Sequence, residues 1–157
     1  FLYGSNAGLE MTSGFYGMKA IHTRAHLLQA IYEGVVFSHM THLNRMRERF
    51  TDVHTLRVTG GPAHSDVWMQ MLADVSGLRI ELPQVEETGC FGAALAARVG
   101  TGIYHNFSEA QRDLQHPVRT LLPDMTAHQL YQQKYQRYQH LIAALQGYHA
   151  RIKEHTL

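Results

Sequence analysis

The feature that most constrains this chain is the run Thr55-Leu-Arg-Val-Thr-Gly-Gly-Pro-Ala-His-Ser-Asp-Val-Trp68, in which an apolar strand stops at paired glycines and turns at once into an amphipathic helix. Such a junction belongs to a β-α unit, and so to a mixed α/β fold. Gly60 and Gly61 leave the backbone bare, so a flat ring or a phosphate can approach where a Cβ would block it. The following helix aims its free N–H groups at the turn. Plain turn chemistry produces the same pattern, so the junction alone leaves a nucleotide site and a simple turn both open.

The other elements follow from periodicity and punctuation. Residues 1 to 20, rich in Gly and aromatics, read as loop with a short strand at Gly14–Gly17. Apolar residues at helical spacing through Leu28, Ile31, Val35, Leu43, Met46 and Phe50 predict a helix over about 21–50, with Gly34 marking close packing on a neighbour. A strand at 55–59, a helix at 65–75 ended by Gly77, and a strand at 78–82 stopped by Pro83 come next. Residues 87–99 form a helix of small side chains, Gly89, Gly92, Ala93, Ala94, Ala96 and Ala97, whose smooth face suits close packing, with acidic Glu86 and Glu87 at its start. A short helix at 108–114 has Ser108 and Gln111 in capping-box spacing. Residues 117–123 read as a turn between prolines. The last helix spans about 126–153, with a docking stripe of Leu130, Tyr131, Tyr135, Tyr138, Leu141, Ile142, Leu145 and Tyr148, before a polar tail expected to fray. Two strands are too few for a stable sheet, so further strands are expected from residues upstream of Phe1. An exposed edge could otherwise pair with a second copy in a homodimer.

Charge and cysteine usage narrow the partners. The 157 residues carry 14 Lys and Arg against 13 Asp and Glu, a balance that argues against a nucleic-acid surface or a membrane anchor. No stretch reaches the length of a membrane span. One cysteine, Cys90, forms no internal disulfide and fits a reducing compartment, the cytoplasm. It reads as an inert packing thiol. His22 and His26, four apart, and His39 and His42, three apart, share helix faces. Neither pair gains an acidic or Cys ligand, so the structural reading outweighs a metal site. Trp68, Met69 and Met71 read as core rather than an adenine platform.

The segment Ser13 to Glu33 resembles the second signature of the FGGY carbohydrate kinases. That pattern is a small residue, an aromatic or aliphatic one, Gly and an aliphatic; after seven or eight residues come a polar residue and an aliphatic, and a close of small, aliphatic, aliphatic or aromatic, acidic. Ser13, Phe15, Gly17, Met18, His26, Leu27, Ala30, Ile31, Tyr32 and Glu33 fill it in register. Val58-Thr-Gly-Gly-Pro-Ala-His-Ser-Asp66 is similar to the family's adenosine-binding motif, and Glu87-Thr-Gly-Cys-Phe-Gly-Ala-Ala-Leu95 to its acidic residue followed by a Gly-Ala-Ala helix. The matches cover about residues 13–102.

The resemblance implies an RNase H-like, actin-like ATPase fold, with residues 1–157 forming the C-terminal, nucleotide-binding lobe, truncated at its N-terminal strands. It implies ATP and Mg2+ as cofactors, a small sugar as substrate, and the N-terminal lobe of the same protein as partner. Gly60, Gly61 and Pro62 fall at the adenosine, with Ser65 and Asp66 as polar contacts. The family's Asp base lies in the N-terminal lobe, and part of its phosphate clamp in a Gly-Thr turn at the start of the C-terminal lobe. No carboxylate here matches that base, so no catalytic and no metal residue is assigned. The opening Leu2-Tyr-Gly-Ser-Asn6 departs from the Gly-Glu-Arg-type motif of many relatives and resembles a branch acting on keto-sugars. A non-catalytic ATP-sensing or assembly module of the same superfamily is the alternative.

Overall fold

The structure, a computed structural model, describes residues 13–83, 85, 87–112 and 117–155. The motif at Leu2–Asn6, the acid at Glu86 and the expected helix end at Leu114 lie outside them. In chain order the elements are α1 (Arg24–Arg49), β1 (Thr55–Arg57), a 3-10 turn (Gly61–His64), α2 (Asp66–Ser76), β2 (Arg79–Pro83), α3 (Thr88–Gly100), α4 (Phe107–Arg112), β3 (Pro117–Leu121) and α5 (Met125–His155). The mixed α/β expectation holds. Gly14 makes an isolated β-bridge where a short strand was expected, and α5 continues through Arg151 to His155, where fraying was expected.

The chain divides into two compact units. One comprises His54–Ala73 and Leu78–Leu122. Its sheet has the order β1-β2-β3. Strands β1 and β2 are parallel with Leu56 opposite Ile80, joined through α2, while β3 lies antiparallel on β2 with Leu121 opposite Ile80. The expected turn at 117–123 is therefore mostly a strand, and the third strand comes from within this chain. Prolines at each end of the segment gave the turn reading. Its backbone pairs along the free edge of β2, and Pro117, at the strand's first position, costs the ladder little. Alternation along β2 turns Ile80 and Leu82 inward and leaves Arg79 exposed, and Met69 and Ala73 of α2 pack on that inner face. Leu56, Val58, Ala63, Trp68, Leu72 and Leu121 surround this core, so Trp68 and Met69 are core residues as read. Full burial of a side chain such as Ile80 contributes about 2–3 kcal/mol.

The other unit comprises Phe1–Val53, Asp74–Gly77 and Pro123–Leu157. Helix α1 buries Gly34, Val36, Phe37, Met40 and Leu43, while Leu28, Met46 and Phe50 of the expected stripe are exposed. The helix is apolar over a wide arc, and the covered part is set by Phe37. Its ring meets Tyr131, Tyr135 and Tyr138 of α5 at centroid separations of 6.4, 5.6 and 5.3 Å. Of the tyrosine stripe, Tyr135 and Tyr138 are buried, whereas Leu130 and Tyr148 at its ends are exposed. Asp124 caps α5 by accepting the Thr126 and Ala127 amides at 2.8 and 3.2 Å. Asp74, near the end of α2, accepts the Asp124 amide at 2.9 Å through Oδ1, and its carbonyl accepts the His128 Nδ1–H at 2.8 Å. Gly77, with φ +67°, ends α2 where a Cβ would come 2.7 Å from the His128 ring. Both conformation and space require glycine there.

Two small helices correct the sequence reading. Helix α4 is capped by Asn106, whose Oδ1 accepts the Glu109 amide at 2.9 Å while Glu109 Oε2 accepts the His105 amide at 2.8 Å. This cap thus sits two residues upstream of the expected Ser108–Gln111 box, because Asn106 directly precedes Phe107, the first helical residue. Along α3 only Leu95 is buried, and a Cβ on Gly89 or Gly92 would meet nothing within 4 Å. The small-residue face expected to pack closely is bare among the described residues, and Cys90 is exposed rather than packed.

Candidate nucleotide site

Strand β1 runs toward the glycine pair, and Val58 donates its amide to Glu81 at 2.9 Å, holding the strand's end against β2. At Gly60 the backbone swings to φ +91°, a conformation L side chains rarely adopt. Gly60 then accepts the Ala63 amide at 3.0 Å, closing one 3-10 turn with Pro62 at its second position. Ser65 closes the next bond, its amide donating to Pro62 at 3.1 Å, and begins α2 by accepting the Met69 amide at 2.9 Å. Its Oγ faces the Trp68 amide at 3.4 Å. Strand, bare turn and helix start are therefore contiguous, as the residue types require.

The five residues read from sequence divide by what they are free to do. Gly60, Gly61 and Pro62 are exposed, and a Cβ on either glycine would meet nothing within 4 Å. Ser65 is half-buried and engaged in starting α2. Asp66 is exposed and forms an ion pair with Arg119 of β3. Arg119 was missed because its strand read as a turn; the alternating Val118, Thr120 pattern was the available signal. On the opposite flank Arg57 pairs with Glu81 at 3.0 Å.

The residues of the Ser13–Glu33 signature surround a cavity of about 260 Å³ in the other unit, lined by Tyr16, His22, His26, Glu33 and Lys134 among others. Glu33 Oε1 holds Lys134 at 2.7 Å and Gln29 at 3.0 Å, so the signature's closing acid ties α1 to α5. Its polar slot also acquires a reason: His26 Nδ1 accepts the Thr23 amide at 3.0 Å, the side-chain half of a capping box for α1. His22 Nδ1 likewise accepts the Lys19 amide at 2.7 Å. A nitrogen that accepts a backbone N–H carries no proton of its own, so both neutral rings hold theirs on Nε2. Neither nitrogen then offers a lone pair to a metal. Among the described residues no three His, Cys, Asp or Glu side chains gather into a metal-binding group. Burial, and His42 beside it, pull His39 below the ordinary imidazole value.

Residues 5–101 match the sequence profile of the FGGY family of carbohydrate kinases, C-terminal domain. The chain belongs to that family. It is 97% identical over all its 157 residues to the L-xylulose/3-keto-L-gulonate kinase of Escherichia coli K12, of which it covers 32%. It is 57% identical over 147 residues to a probable L-xylulose kinase of Pasteurella multocida, 94% of this chain and 29% of the relative. The chain thus spans about a third of the length of these curated FGGY relatives. Its fold matches a "xyloylose kinase" from Brucella ovis with a TM-score of 0.78 at 27% identity, covering 88% of this chain and 28% of that one. This chain therefore carries part of the FGGY sugar-kinase fold. The profile stops at residue 101, so β3, Arg119 and Lys134 lie in the part of the chain that the profile does not cover.

Proposed function

We propose that this chain is the ATP-binding part of a sugar kinase that moves the γ-phosphoryl group of ATP to a hydroxyl of a keto-sugar, L-xylulose or 3-keto-L-gulonate. The observation that carries the reading is the 97% identity, over the whole chain, to a kinase named for those two sugars. The adenosine lies on the Gly60–Gly61 turn. Support for this comes from the exposed, side-chain-free backbone of the turn and from the start of α2 directly after it. Pro62 stiffens the turn and, lacking an N–H, competes for no acceptor. Ser65 and Asp66 flank the nucleotide, with Asp66 held in place by Arg119.

Phosphoryl transfer is largely positioning and charge stabilisation around an in-line displacement. This chain's contribution is to place the nucleotide; the base that takes the sugar's hydroxyl proton belongs to the other lobe of the parent protein. Mg2+ would be held by the ATP phosphates and would supply charge neutralisation there; no carboxylate of this chain is assigned to it. The setting is the cytoplasm, and a homodimer would form along an outer edge of the β1-β2-β3 sheet. The test is a panel of ketoses and ketonates offered with ATP to the full-length parent. Phosphorylation of L-xylulose or 3-keto-L-gulonate is expected to exceed that of D-xylulose and glycerol in kcat/KM by at least about tenfold, near 1.4 kcal/mol. A preference for glycerol would overturn the substrate assignment, and turnover without ATP would overturn the cofactor.

A further inference from the structure

Two rings at the start of α1 accept hydrogen bonds that only neutral imidazole can accept. His22 Nδ1 takes the Lys19 amide at 2.7 Å, and the His22 amide returns a bond to the Lys19 carbonyl at 3.0 Å, closing a turn on itself. One helical turn on, His26 Nδ1 takes the Thr23 amide at 3.0 Å, and Thr23 in turn accepts the first helical bond from Leu27 at 3.2 Å. The Thr23 hydroxyl, 2.9 Å from the same nitrogen, rotates to suit either state of the ring, so the amide is the group that distinguishes them. The rings lie 5.5 Å apart, edge to face.

We propose that His22 and His26 form a proton-released latch, in which the neutral His22 ring closes the 19–22 turn, the neutral His26 ring pins Thr23 to the first turn of α1, and protonation lets both go. A proton from solvent adds to the Nδ1 lone pair, no covalent bond breaks, and the ring becomes a donor at both nitrogens. An N–H then faces the backbone N–H it used to accept, and the ring turns away. Losing both amide acceptors exposes the Thr23 N–H, one of those that a helix start must satisfy, and the Lys19 N–H of the preceding turn. The titratable groups lining the same cavity are Glu33 of α1, Lys134 of α5 and Tyr16 of the preceding segment. Glu33 and Lys134 are paired with each other at 2.7 Å. Both rings line the cavity, so their release also changes its wall. Imidazole titrates between about pH 5 and 8, within reach of an acidified cytoplasm.

The test is amide exchange and imidazole 15N shifts on the 157-residue chain between pH 8 and pH 5. At pH 8 the 15N shifts should report Nε2–H tautomers for both rings. The protection factors of the Lys19 and Thr23 amides, corrected for intrinsic exchange, should fall at least tenfold by pH 5. In His26→Asn, the Oδ1 stands where Nδ1 stood and does not titrate, so Thr23 should stay protected at pH 5 while Lys19 is still released. His22→Asn should give the reverse. Nδ1–H tautomers at pH 8, unchanged protection in the wild-type chain, or the same pH dependence at Thr23 in His26→Asn would each overturn the latch. The tautomer measurement needs no variant, so misfolding of a substituted chain does not shield the proposal.

Discussion

Tyr138 is buried against Phe37 and Tyr135, and its hydroxyl has no hydrogen-bond partner among the described residues. Its neighbour Tyr135 is better served, with Thr41 Oγ1 at 3.2 Å and Asn44 Nδ2 at 3.5 Å. A buried, unsatisfied hydroxyl costs about 1–3 kcal/mol, so Tyr138→Phe should leave stability unchanged or raise it by up to about 1 kcal/mol. Burial, then Tyr135, push the Tyr138 phenol above its ordinary value. The fold therefore favours the neutral form, its contribution is intact below the ordinary tyrosine range near about pH 10, and it is lost as pH rises beyond that. Urea midpoints between pH 8 and 11 should show a shallower alkaline decline in the Phe variant; a loss above about 1 kcal/mol at pH 7 would mean the hydroxyl has a partner after all. The glycine pair calls for a different choice of residue. Any side chain at Gly60 would strain a backbone at φ +91°, whereas Gly61 has no positive φ and open space around it. Gly61→Val thus disturbs a ligand without disturbing the chain. In the full-length parent it should raise KM for ATP by about tenfold, equivalent to about 1.4 kcal/mol, with the melting temperature unchanged. An unaltered ATP KM would remove the adenosine from this turn.

Among the elements, α5 depends on its first turn. Asp124 accepts two amides there, Asp74 fixes the Asp124 amide, and Gln132 Nε2 reaches the Val75 carbonyl at 3.3 Å. Removing the capping carboxylate in Asp124→Ala should cost about 1 kcal/mol, while Asp124→Asn, which keeps an acceptor, should cost less than half of that. Urea unfolding of the two variants side by side checks this, and equal losses would assign the effect to charge at the helix start instead of to the cap. Elements were legible in the sequence where the chain punctuates itself. Gly77 and Pro83 bracket β2, and the glycine pair separates β1 from α2. Periodicity failed where coverage is decided by a distant partner: the buried arc of α1 follows Phe37 because the α5 tyrosines are there, so Leu28 and Met46 looked equally suited to the core. Strand β3 was hidden because five residues between prolines resemble a turn until β2 is known to have a free edge. The same gap hid the Arg119–Asp66 pair, whereas the bare turn itself needed only its two glycines to be seen.

At the scale of the whole molecule, the chain is about a third of the length of its curated relatives, and the function proposed for it is one side of a reaction that needs two. Transfer of a phosphoryl group requires the sugar hydroxyl, its base and the nucleotide to be brought to about 3–3.5 Å in line, and lobe closure supplies both that approach and the exclusion of water. The Gly60–Gly61 turn is exposed, with nothing within 4 Å of a Cβ on either glycine, so no described neighbour encloses a nucleotide placed there. Enclosure of most of a ligand's surface is what gives small-molecule sites their affinity. We therefore expect the 157-residue chain, given Mg-ATP and L-xylulose or 3-keto-L-gulonate, to form no sugar phosphate above the uncatalysed background, and to bind ATP at least about tenfold more weakly than the parent. A coupled assay for ADP release, read beside ATP titration calorimetry of both proteins, separates the two statements. Weak binding without turnover is the expected pair of results, whereas sugar-dependent ADP release by the chain alone would place a base and a sugar site among its own residues and return the search to carboxylates such as Asp66 and Glu33.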